Sequence, residues 1–115
     1  MPADDMPSVA YRILRYLDAC QRAGVGPDDA QLAVDVSQVN YDYYATVMGD
    51  LAEGGYVSGV EVTHAGGTAC VMLSDPRLTL DGAECLAERP MMRRAARGCG
   101  ASFEPLVRTL LSRLA

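Results

Sequence analysis

The chain has 115 residues, half of them apolar, with ten arginines, no lysine and fifteen carboxylates for a net charge of −5. That length supports one packed core and not two, and four scattered cysteines with a single histidine suit neither a disulfide framework nor a zinc cage. No apolar run approaches the roughly 20 residues of a membrane span, and the acidic start MPADDMPSV is unlike a secretory leader, so a soluble cytoplasmic protein is expected.

The charge is unevenly placed. Residues 1–62 carry three arginines (Arg12, Arg15, Arg22) against ten carboxylates, and residues 63–115 carry seven against five. Any attraction to phosphate should therefore come from the C-terminal half.

In MPSVAYRILRYLDACQRAG, Val9, Ile13, Tyr16, Leu17 and Cys20 recur at helical spacing, and Gly24 suits a left-handed cap. Asp28 or Asp29 can cap a second, short helix that carries Leu32, Ala33 and Val36 and breaks at Ser37. Asn40 can cap a third, in which Tyr44, Val47, Met48 and Leu51 share a buried face. Gly54 and Gly55 stop it, and Asp42, Ala45, Thr46, Gly49, Asp50 and Glu53 are expected to face solvent.

The period then changes. YVSGVEV and TACVML flank a Gly-Gly tip and predict a hairpin with strands near Tyr56–Thr63 and Thr68–Leu73. In RLTLDGAECL, Thr79 can cap a helix, Leu78 and Ala83 are spaced as a hydrophobic staple, and Asp81 sits where the helix dipole favours a carboxylate. Gly82, in that first turn, gives up roughly 1 kcal/mol of helix propensity, which implies a close backbone neighbour. Pro90 suits the first position of another helix. In SFEPLVRTLLSRL, Ser102 can cap a final amphipathic helix with Pro105 in its first turn and Leu106, Val107, Leu110, Leu111 and Leu114 as its stripe. That stripe must fold back on the chain or pair with a second copy in a homodimer.

Three helices, a two-stranded wing and further helices define an α+β, mainly α, winged helix-turn-helix. Residues 1–100 form the winged-helix domain, and 101–115 form a C-terminal amphipathic helix that joins it or makes a dimer contact. The combination of YRILRYLDAC, LAEGGYVSGV and LTLDGAECLAERPMMRRAARG resembles the YjcQ family, small winged-helix proteins of phages and prophages, over roughly residues 6–99. The resemblance implies a fold and a phage context rather than an activity.

In such proteins the third helix docks in the major groove while basic residues hold phosphates. Here no basic residue lies between Val39 and Gly55, although Tyr41 and Thr46 could contact DNA and the wing brings His64. Arg93, Arg94 and Arg97, close together after Pro90, are the candidate contacts to duplex DNA. Leu110, Leu111 and Leu114 are the candidate partner surface. Catalysis, cofactors and metals are not expected: one histidine at a wing tip is a poor base for any of the cysteines, and the GGT tip lacks the helix and lysine of a phosphate loop. Two readings follow, a DNA-binding or transcription-regulatory protein and a protein-interaction module on the same scaffold.

Overall fold

The computed structural model describes residues 4–114. The first helix, α1 (Met6–Ala23), starts at Asp5, whose carboxylate accepts a hydrogen bond from Ser8 N at 2.9 Å, and ends at Gly24 with φ 71°. The hydrogen bonds to Ser8 hold the Asp5 carboxyl below its ordinary range. The predicted stripe of α1 is buried, but so are Tyr11, Arg12 and Leu14 on its other faces. Helices from both ends of the chain pack around α1, so it forms the centre of the core and not its edge.

The second segment begins where Asp28 Oδ2 accepts from Gln31 N at 2.9 Å, so Asp28 is the cap. Gln31–Val36 is a π-helix, its turns widened so that Ser37 N reaches Leu32 O at 3.1 Å. Its polar residues are tied inward. Tyr16 Oη donates to Gln31 Oε1 at 2.7 Å, and Gln31 Nε2 donates to Leu110 O at 3.2 Å. At the far end Arg12, 1% exposed, donates from Nε to Val36 O (3.0 Å) and from Nη2 to Ser37 O (2.7 Å). The next residue, Gln38, has φ 60°, a left-handed conformation that costs a side-chain-bearing residue about 1–2 kcal/mol. The chain then enters α2 (Tyr41–Glu53), where Asn40 Oδ1 accepts from Tyr43 N at 2.9 Å.

Strands β1 (Val57–Ala65) and β2 (Thr68–Leu78) form an antiparallel hairpin turned at Gly66 and Gly67. The second strand runs five residues past the predicted end at Leu73. The register breaks between Ser58 and Val60, where Ser74, Asp75 and Pro76 form a bulge with Ser74 and Asp75 exposed and Pro76 buried, and pairing resumes at Ser58↔Arg77. Gly59 (φ 72°) faces the bulge, and a Cβ there would overlap the Ser74 carbonyl oxygen. The bulge absorbs the proline, so Asp75-Pro76 does not end the strand as a turn would.

The helix α3 (Leu80–Glu88) is capped by Thr79, whose Oγ1 accepts from Gly82 N at 3.0 Å. Gly82 lies against the Tyr56 carbonyl, and an added Cβ would overlap that oxygen and meet Leu78 Cδ1 at 2.7 Å. The proposed staple does not form. Ala83 is exposed, and Leu78 covers Gly82 instead.

The tail differs from its sequence reading. Helix α4 (Pro90–Ala95) runs without a break through a π-helical turn, Ala96–Gly100, into α5 (Ala101–Ser112). Ser102 caps nothing: it lies within the helix, and its hydroxyl donates back to Cys99 O at 3.1 Å. Pro105 lies inside the helix, tolerated because Ala101, whose carbonyl it leaves without a helical donor, is exposed to water. Phe103, Val107 and Leu110 enter the same core as α1, and Leu111 and Leu114 are partly buried against it. Arg15 clamps α5 to α1 through two 2.9 Å hydrogen bonds to the Glu104 carboxylate.

The contact at Gly82 gives a direct stability test. Gly82→Ala should destabilise the fold by about 2–3 kcal/mol through backbone displacement, despite alanine's better helix propensity. Urea melts of the two proteins measure this, and equal midpoints would contradict the close approach.

Candidate nucleic-acid interface

The face of α2 that would read bases is set by its cap and its buried side. Asn40 fixes where the helix starts, and burial of Tyr44, Val47, Met48 and Leu51 turns Asp42, Thr46, Asp50 and Glu53 outward. Ala45, expected in solvent, is fully buried, and Gly49 is half-covered, because the hairpin folds over this side of the helix and Val62 stands over Gly49. Tyr41 makes the attachment. Its hydroxyl oxygen accepts from Val71 N at 2.9 Å, so it occupies the backbone edge of β2. The Tyr41 ring is 5.8 Å from that of Tyr44. Burial pushes the Tyr44 hydroxyl well above its ordinary pKa, and its oxygen has no hydrogen-bond partner among the described residues.

Thr46 and His64 are brought together by the fold, and Arg93, Arg94 and Arg97 lie together only because they are neighbours in the chain. Thr46 and His64 line one shallow depression of about 310 Å³ together with Asp50, Glu53 and Val62. The Thr46 hydroxyl donates to Asp42 O at 3.0 Å, an interaction that holds it against its own helix. Carboxylates border this depression, and no arginine lines it. A phosphodiester backbone approaching here would meet repulsion rather than counterion release.

Arg93, Arg94 and Arg97 lie on the α4 side of the molecule and are all exposed. Arg93 is partly engaged, its Nε 3.4 Å from Ala87 O near the end of α3. Among the described residues Arg94 and Arg97 make no ion pair and no side-chain hydrogen bond, so their guanidinium groups are available. Of the partner candidates, Leu110 is fully buried within its own chain and cannot meet a second subunit without unfolding, whereas Leu111 and Leu114 keep some exposure.

A feature that sequence reasoning missed lies between the residues that lead from α2 into β1 and the junction of α3 with α4. Arg89 stands over the Tyr56 ring at 5.7 Å and donates from Nη2 to Tyr56 Oη at 2.8 Å. Beside this pair is a hollow of about 410 Å³ bordered by Asp81, Glu84 and Glu88, with Cys85 at its base. The i, i+3, i+7 spacing of the three carboxylates on α3 was visible, but their juxtaposition with Tyr56 depends on the hairpin entry. Among the described residues no group of three or more His, Cys, Asp or Glu side chains is arranged to hold a metal, and no helix is long and apolar enough to cross a membrane.

Helical segments followed by a two-stranded hairpin and a helical tail place the chain among small α+β proteins that are mainly helical. A family model described as YjcQ protein matches residues 11–101, and the chain belongs to the YjcQ family. The match runs from the middle of α1 to the start of α5, so it includes the hairpin and the Arg93–Arg97 segment. The chain has no significant match to a curated protein or a solved structure.

The attachment at Tyr41 generates the second prediction. Tyr41→Phe should raise the exchange rate of the Val71 amide about tenfold while costing less than about 1.5 kcal/mol of global stability, the net value of one exposed neutral hydrogen bond. Amide exchange followed by NMR reads both quantities, and unchanged protection at Val71 would mean that Tyr41 does not hold the hairpin.

Proposed function

We propose that this protein is a small winged-helix regulatory protein of phage or prophage type that acts through a protein partner and not by reading bases with α2. The observation that carries this reading is the composition of the outward face of α2. It presents Asp42, Asp50 and Glu53 with no cation, under a hairpin attached through Tyr41. Three carboxylates facing a duplex would have to be overcome by contacts made elsewhere, and phosphate neutralisation is the main source of sequence-independent affinity. The role is one of binding and not of catalysis.

A second reading is favoured by one observation. The exposed Arg93, Arg94 and Arg97 form a cationic segment, outside the α2 face, that could hold phosphates. Duplex binding through that segment would be independent of sequence, because phosphate contacts position a protein while base contacts specify.

Fluorescence anisotropy with a random duplex at low ionic strength, repeated as salt rises, separates the two. The interaction reading expects no measurable binding. Binding that weakens with salt by about three phosphate contacts and disappears in the Arg93→Ala, Arg94→Ala, Arg97→Ala triple variant would replace it with the second reading. A sequence preference that changes in Thr46→Ala would overturn it differently, by restoring α2 as the reader.

A further inference from the structure

One concavity formed by the described residues is predominantly apolar. Met6, Pro7 and Ala10 at the start of α1, Val47 and Leu51 on α2, Tyr56 and Met91 line an apolar groove of about 320 Å³, with Asp50 on its lip. Val47 and Leu51 form its buried floor, and Met6 is exposed on its wall. Two unbranched methionines in the lining, Met6 and Met91, give a surface that can adapt its shape to an inserted side chain. Tyr56 belongs also to the hollow bordered by Asp81, Glu84 and Glu88, so the apolar groove and the acidic hollow meet across that one ring.

We infer that these adjoining concavities form a single docking site for a basic amphipathic segment of a partner protein, its apolar side chains in the groove and its Arg or Lys side chains in the acidic hollow. The inference rests on the interaction reading above and names the class of partner. Complementarity of charge selects the occupant. Asp50 borders the groove and three carboxylates border the hollow, against the single guanidinium of Arg89, which Tyr56 already engages. An acidic or phosphorylated segment would meet like charge at both ends. The chain's own basic tail does not meet the need, because Val107 and Leu110 of α5 are already buried in the core. Helix-in-groove recognition of this kind uses apolar anchors at i, i+3 or i+4 and draws its orientation from flanking charge.

A random peptide library displayed against the 115-residue chain identifies the ligand class, and methyl-labelled methionine NMR locates the site. Enriched peptides should carry apolar anchors at helical spacing beside Arg or Lys. One such synthetic peptide should shift the methyl signals of Met6 and Met91 and leave that of Met72 on the hairpin unchanged. Glu84→Lys with Glu88→Lys, both exposed positions, should weaken this peptide about tenfold or more, and Met91→Glu should do the same in a variant whose circular dichroism is unaltered. Enrichment of acidic peptides, shifts at Met72 in place of Met6 and Met91, or unchanged affinity in the Glu84/Glu88 variant would overturn the site. In those cases protein binding stands and only its location or chemistry is wrong. Failure to enrich any peptide would overturn the groove, and the interaction reading would fall with it only if the duplex titration also showed binding.

Discussion

The buried guanidinium of Arg12 holds the amino-terminal half of this fold together. It reaches out of the central helix to the carbonyls of Val36 and Ser37, at the point where the π-helix ends and Gln38 turns left-handed. Helix termini leave carbonyl groups without donors, and carbonyls buried in a core would each cost on the order of 1–3 kcal/mol if left so. A planar, permanently charged fork can satisfy two at once, and it places positive charge at the negative end of the helix dipole. The same contact offsets the cost of the Gln38 conformation. The direction in which α2 leaves the turn is therefore set from within α1.

From that direction the surface chemistry follows. With α2 fixed by Arg12 at one end and capped by Asn40, its apolar side closes on α1 and its carboxylates face outward. The hairpin has one side to pack on, and it lies over Ala45 and Gly49, where the small side chains admit Val62. Thr79 and Gly82 then close the end of the hairpin against α3, and this brings Tyr56 beside Arg89 and the α3 carboxylates. The result is a molecule with acid on the α2 and α3 faces and free arginines along α4 and the turn after it.

Much of this was legible in the sequence where a residue's role is local. Gly24, Asn40 and Thr79 act as the caps that their positions suggested, and Gly82 makes the close approach that its helix position implied. What was not legible depends on partners distant in the chain. Arg12 entered only as one of three arginines in the charge balance, since nothing in YRILRYL reveals that one arginine of the helix points at carbonyls 24 and 25 residues away. The strand past Leu73 was hidden because a bulge opposite Gly59 accommodates Asp-Pro. The break expected at Ser102 is absent because a widened turn with two glycines carries the helix through, where Gly100 packs close to Tyr11 Oη. At the candidate site, the acidity of α2 was evident, but the Tyr56 ring joining two concavities required the assembled hairpin.

The role of Arg12 can be measured without reference to any ligand. Native-state hydrogen exchange on an Arg12→Met variant, which keeps most of the buried volume and removes the donors, resolves opening free energies residue by residue. The account predicts that amides from Gln38 to Met48 lose about 2–3 kcal/mol of protection and open before those in the middle of α1, because α2 has lost its attachment while the core around α1 persists. Protection in α2 that matches the parent, or falls only in step with α1, would contradict the claim that the arginine positions this helix.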